Sequence, residues 1–182
     1  MWQGYGAPSL EIAAVELGDG MLTARGTAIR ATPEPWTVSY ELTTGGGFVT
    51  ASLEVSAWGA DWSRSLSLRR RRSDGTWTAQ PGGALYGLDG ALDCDLAYCC
   101  LTNTMPVLRN RLHGRVGTIN LVVAWVSLPD LKVHVSRQRY THLARAGGGA
   151  VVKFESGRYA ADVEFDGSGF VTDYPGLARR VR

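Results

Sequence analysis

The sequence contains no stretch of about 18 uncharged apolar residues, so no membrane-spanning helix is expected. Its longest apolar run, Ile119 to Leu128, contains Asn120 and has about the length of a strand. Net charge is scarce: 19 basic against 17 acidic residues leave +2. That is too little to imply a polyanionic partner, and nucleic acid is not expected. Cysteine is limited to three residues, two of them adjacent at Cys99 and Cys100. An odd count in that arrangement does not make a disulfide framework. The start Met1-Trp2-Gln3-Gly4 lacks a basic segment followed by an apolar run, so no secretory signal is visible. Together these features give the expectation of a reducing cytoplasm. There is no Gly-x-Ser-x-Gly elbow, no phosphate loop ending in Gly-Lys-Ser/Thr and no His-Glu-x-x-His. Catalysis therefore has no positive support, and no cofactor is expected. No repeat of fixed period and no linker interrupts residues 1–182, which are read as one domain.

What is present points to β-structure. Hydrophobic residues at 45% and charged residues at 20% argue against disorder. Trp36, Val38, Tyr40 and Leu42 alternate with Thr37, Ser39, Glu41 and Thr43, the period of a half-buried strand. Gly45-Gly46-Gly47 breaks that run, and Ala51, Leu53, Val55 and Ala57 alternate in the next. Leu66 and Leu68 follow, and Ser73-Asp74-Gly75 turns into Thr76-Trp77-Thr78. Thr118 to Val126 is apolar on both faces and is predicted to be a central, fully covered strand. Leu131, Val133 and Val135 begin a strand running through Gln138 and Tyr140. Tyr159 to Phe165 alternates again, and Phe170 to Asp173 makes a last short strand. Twenty-three glycines suit the many turns this requires.

Asn103 to Leu112 is the exception. Thr102 or Asn103 can cap a helix, and Pro106 is tolerated in a first turn, where its missing N–H costs nothing. Leu108 and Leu112 fall on one face. A helix of two or three turns is predicted.

Each chemically suggestive group has a plain structural reading beside it. Arg69-Arg70-Arg71-Arg72 could contact phosphates, yet it precedes a tight turn and reads as a solvated strand end. Asp93-x-Asp95 could hold a divalent cation, but the further oxygen ligands of a calcium loop are missing. The two carboxylates are read instead as partners of backbone N–H groups at the helix start. Cys94, Cys99 and Cys100, with His113, His134 and His142, could form a metal or nucleophile site. Cys99-Cys100 has no two-residue spacer, so the cysteines are read as core and no metal is expected. Six Trp, seven Tyr and four Phe are read as mainly core; Trp125 could instead wall a sugar- or lipid-binding cleft.

Leu92-Asp93-Cys94-Asp95-Leu96, followed by Thr102-Asn103-Thr104-Met105-Pro106-Val107, resembles the signature of the putative glycolipid-binding family of bacterial proteins. Gln138-x-Tyr140-Thr141 looks like that family's Gln-x-Tyr strand. Asp166, Gly169-Phe170-Val171 and Asp173-Tyr174-Pro175-Gly176 look like its C-terminal ending. The similarity runs from about Leu10-Glu11 to Arg179. Cys99-Cys100-Leu101 and Met105 depart from the pattern. The resemblance implies a spiral β-roll, a long curved and mostly antiparallel sheet wrapped around one α-helix at about 103–112, often as a homodimer. It implies non-catalytic binding of an amphipathic ligand such as a glycolipid, in a half-barrel between sheet and helix. Asn103, Thr104, Arg109, Gln138 and Tyr140 are the expected polar contacts, with Trp125 as apolar wall. Asp93, Asp95, Thr102, Pro106, Asp173, Tyr174, Pro175 and Gly176 are expected to be structural. The alternatives are a Cys/His-dependent hydrolase or isomerase, and a structural or interaction protein with a filled core.

Overall fold

A computed structural model describes residues 1–181. The first half of the chain is an antiparallel meander of eight strands: β1 (Trp2–Gly4), β2 (Ser9–Gly18), β3 (Met21–Arg30), β4 (Trp36–Gly45), β5 (Val49–Trp58), β6 (Ser63–Arg70), β7 (Trp77–Gln80) and β8 (Gly83–Leu85). The second half begins with β9 (Asp93–Leu96) and the helix α1 (Thr104–Arg109). It continues through β10 (Thr118–Val126), β11 (Val133–Ala146), β12 (Gly149–Ser156), β13 (Tyr159–Phe165), β14 (Val171–Tyr174) and β15 (Ala178–Arg180).

All fifteen strands belong to one sheet, in the order β8 to β1, then β15 back to β9. The two halves meet at a central seam where β1 pairs with β15, Trp2 opposite Arg180. Every pairing is antiparallel except β9 with β10. The outer strands β8 and β9 are joined by the short stretch 86–92, so the sheet must curl until its ends approach. β9 tucks against the start of β5: the Thr50 N–H donates to the Leu92 carbonyl at 2.9 Å, and the Cys94 N–H donates to Thr50 Oγ1 at 3.0 Å. Arg70 Nε and Trp77 Nε1 both donate to the Ala91 carbonyl. The result is a spiral β-roll around a single short helix.

The alternation read in the sequence decides which face is inside. Trp36, Val38, Tyr40 and Leu42 from β4, and Leu53, Val55 and Ala57 from β5, are buried against Leu101, Met105 and Val107 of the helical segment in one core. β10 spans Thr118–Val126 as expected, but it is the neighbour of the edge strand β9 rather than a central strand. Its double-faced apolar character serves its second half, where Val123, Ala124 and Val126 are buried.

The helix is shorter than the predicted 103–112. Cys100–Asn103 forms a 3-10 turn and only Thr104–Arg109 is α-helical. Arg111 adopts φ +56°, a left-handed conformation that ends the helix. Asn103 occupies the cap position without a side-chain capping bond. The arginine run is a paired strand end: Arg69 meets Glu54 at 2.7 Å and Arg71 meets Asp74 at 3.0 Å. Tyr174-Pro175-Gly176-Leu177 turns β14 into β15, with Gly176 at φ +78° and the Leu177 N–H donating to the Tyr174 carbonyl. Proline then glycine at the two central positions is what such a turn demands.

Candidate functional site

The helix covers only part of the concave face. Along β11, the inward side chains are His142, Tyr140, Gln138, Ser136 and His134. His142 and Tyr140 lie buried under the helical segment, with His142 Nδ1 2.8 Å from the Leu112 carbonyl oxygen. Beyond them the face is open, and a cleft of about 650 Å3 remains between β10–β13 and the segment 95–99.

The cleft floor is a chain of polar side chains drawn from three elements: β9, the 3-10 turn Cys100–Asn103 and β11. The Asn103 amide donates to the Tyr140 hydroxyl at 3.0 Å, and that hydroxyl donates to Gln138 Oε1 at 3.2 Å. Gln138 Nε2 donates to Asp95 Oδ2 at 2.7 Å, and Thr102 Oγ1 donates to Asp95 Oδ1 at 2.8 Å. Burial pushes the Asp95 carboxyl up from its ordinary range, against the pull of Thr102 and Gln138. Burial likewise raises the Tyr140 hydroxyl well above its usual value. Side chains this buried and this connected hold one geometry.

Aromatic rings make the walls. Phe154, Tyr159 and Tyr174 form a triangle with centroids 6.1 to 6.4 Å apart, and Tyr140 meets Phe154 edge-on at 5.2 Å. On the other side Trp125 stands beside Asp95 in the parallel register, its ring 5.4 Å from His134. The site thus joins apolar faces to a few convergent hydrogen-bonding groups, the usual make-up of a small-molecule pocket.

Of the residues expected to contact ligand, Asn103, Gln138 and Trp125 line this cleft, and Tyr140 supports its floor from beneath. Thr104 lies elsewhere, fully buried in α1 with its hydroxyl unpartnered. Arg109 does not line the cleft either. Its guanidinium grips both oxygens of Asp93, with Nη1 2.8 Å from Oδ1, and also donates to the Phe48 carbonyl. Asp95, Tyr174 and Gly176, expected to be structural, line the cleft. Pro106 is buried in α1, Pro175 sits in the turn before β15, and Asp173 accepts a hydrogen bond from Tyr5.

The two aspartates do not receive the helix-start N–H groups assigned to them. That position belongs to Glu11, which accepts from the Cys100 N–H at 2.6 Å and from the Tyr40 hydroxyl at 2.7 Å. Sequence reasoning missed Glu11, because a carboxylate 89 residues from its partner leaves no local signal. It also missed Ser136, Phe154 and Tyr159, and weighed His134 only for a metal or nucleophile site. The period of β11 could have placed His134 and Ser136 in the cleft, since they share a face with Gln138.

All three cysteines are free and buried. Burial pushes the Cys94 thiol up to about 12, and raises Cys99 and Cys100 well above the ordinary range. No histidine hydrogen-bonds a thiol among the described residues. Nor does any cluster of three or more His, Cys, Asp or Glu side chains suited to a metal ion occur among them. No helix there is long and apolar enough to cross a membrane.

The family model described as "Putative glycolipid-binding" matches residues 1–180. A crystal structure of a DUF1089 family protein from Pseudomonas aeruginosa is similar over 97% of this chain and 95% of its own, with 25% identity and a TM-score of 0.76. No curated protein matches the sequence. The chain belongs to the glycolipid-binding family, and the Pseudomonas protein is a member of the same one.

Proposed function

We propose that this protein binds an amphipathic, glycolipid-like molecule in the cleft beside α1 and does not transform it. The observation that carries this reading is the floor of the cleft, where amides of Asn103 and Gln138 converge with Asp95 between aromatic walls. In the network each amide nitrogen spends one N–H, leaving the other for a ligand hydroxyl. Tyr159 and Trp125, both still partly exposed, offer ring faces on which a pyranose can stack. A Cys/His hydrolase is poorly served, since buried neutral thiols are weak nucleophiles. A wholly filled roll is at odds with the cleft volume. Homodimer formation, implied by the family, is part of the same reading; light scattering that gives the mass of one 19.6 kDa chain would remove it.

Native mass spectrometry of the purified protein, with titration by short-chain alkyl glycosides, tests the reading. Retained lipid or saturable glycoside binding is expected. Tyr159→Ala alters a side chain that is half exposed, and should weaken binding roughly tenfold, the worth of one aromatic contact of about 1.4 kcal/mol. Absence of retained lipid together with no glycoside binding, or undiminished binding by Tyr159→Ala, would overturn it.

A further inference from the structure

Neighbouring carboxyl groups on β9 meet different partners. Asp93 is clasped by Arg109. Asp95 lines the cleft and, among the described residues, forms no ion pair with a basic side chain. The charge that acts on it is that of Asp93, also negative. Its donors, the Thr102 hydroxyl and the Gln138 amide, are neutral, and each takes one oxygen. An ionised carboxylate offers about four lone-pair sites, so about half of its accepting capacity remains.

The basic residues bordering the cleft do not answer this carboxyl. Arg137 stands between Ser136 and Gln138 on β11, so strand alternation turns its exposed side chain to the outer face. His134, Trp125 and Asp95 are successive partners on β11, β10 and β9, which places the His134 backbone about 10 Å from that of Asp95 with Trp125 between them. A buried carboxylate is stable as an anion only where a cation or several donors offset its loss of water. Asp95 is 9% exposed, and burial outweighs its two donors. Beside it the Trp125 ring is partly exposed, as is the Tyr159 ring in the same cleft. Such ring faces attract cations. Asn103 adds an acceptor: its amide N–H goes to Tyr140, and among the described residues no group donates to its Oδ1.

We infer that the headgroup taken by this cleft carries a protonated amine, as an amino sugar does, and that its ammonium sits on Asp95 beside the Trp125 ring. An ammonium has three N–H donors and no acceptor. That matches a carboxylate with unfilled lone pairs and an amide oxygen without a donor. The neighbouring sugar hydroxyls still meet the amide N–H groups of Gln138 and Asn103. The same carboxylate repels phosphate and carboxylate headgroups. This rests on the cleft being the headgroup site.

Isothermal titration with octyl glucoside, octyl glucosaminide and octyl N-acetylglucosaminide tests it, each below its micelle concentration and with the amine protonated. Hydroxyl and ammonium are similar in size, so the ratio of the first two affinities isolates charge. The parent should prefer the glucosaminide to the glucoside by at least about tenfold, the worth of one hydrogen bond to a charged group. The N-acetyl compound should lose that preference. In Asp95→Asn the ratio should fall to about one, since the charge is gone and the shape is kept. If the parent binds the glucoside or the N-acetyl compound as tightly as the glucosaminide, or if the preference persists in Asp95→Asn, the amine is overturned and the cleft stands as a neutral sugar site. No binding of any of the three overturns the cleft reading and the amine with it. Should Asp95→Asn fail to fold by circular dichroism, a crystal structure of the parent with octyl glucosaminide decides. An amine nitrogen within hydrogen-bond distance of the Asp95 carboxylate supports the inference, and one turned to solvent overturns it.

Discussion

Three carboxyl groups lie in the interior, and each is answered by a different kind of partner. Asp93 has a cation: its side chain is 2% exposed and that of Arg109 14%. Removing one member of such a pair strands a buried charge, at a cost of about 3 to 5 kcal/mol. Arg109→Met should therefore lower stability by that order in urea, and Asp93→Asn added to it should restore part of the loss. Asp95 has only neutral donors, Thr102 and Gln138. Glu11 has the Tyr40 hydroxyl and backbone N–H groups at Cys100 and Leu101, and burial outweighs them, pushing its carboxyl from 4.5 to about 7. In the unfolded chain Glu11 titrates near 4.5. Between those two values the native state holds more protons than the unfolded state, so stability falls as pH rises through that window and levels above it. Asp95, raised by burial as well, acts in the same direction. Urea midpoints measured across this window should fall with pH in the parent, and Glu11→Gln should remove much of the slope. The Asp-x-Asp pair was legible as a motif, but its partners were not, because residue spacing says nothing about which side chain arrives from another strand.

Strand by strand, alternation was a reliable guide wherever one face met the core and the other met water, as in β4, β5 and β13. It failed where that contrast was missing. β2 escaped notice because Glu11 faces inward while Ile12 is exposed, the reverse of the usual pattern. The helix was overestimated because Leu112 is buried by a turn following the helix rather than by the helix itself. β3 shows how closely neighbouring strands are matched. Gly26 lies opposite Tyr40, and a Cβ placed on it would run into the Tyr40 ring. Glycine there lets the ring lie across β3 so that its hydroxyl reaches Glu11 on β2. Gly26→Ala should cost about 1 to 3 kcal/mol by overpacking, measurable by denaturant unfolding. Tyr40→Phe combined with it should recover little, because the ring remains.

The whole molecule is held at its middle by the two ends of the chain. β1 and β15 form the seam, and the Val181 N–H donates to the Met1 carbonyl at 3.0 Å. Termini this close are compatible with circular permutation. A permutant joining residues 181 and 1 through a short glycine linker, and opened in the exposed turn at Ser73-Asp74, should keep a cooperative thermal transition. Deleting 178–182 should abolish that transition, because it separates the two halves of the sheet. None of this long-range pairing was legible in the sequence, where the short strands β1 and β15 carry too few residues to show a period. The same arrangement governs how the molecule behaves when crowded. One end of the fifteen-strand sheet is β8, only three residues long, and the other is β9, buried along its whole length. Neither can serve as a template for fibrillar growth, so a protein that is more than half sheet can remain dispersed at high concentration.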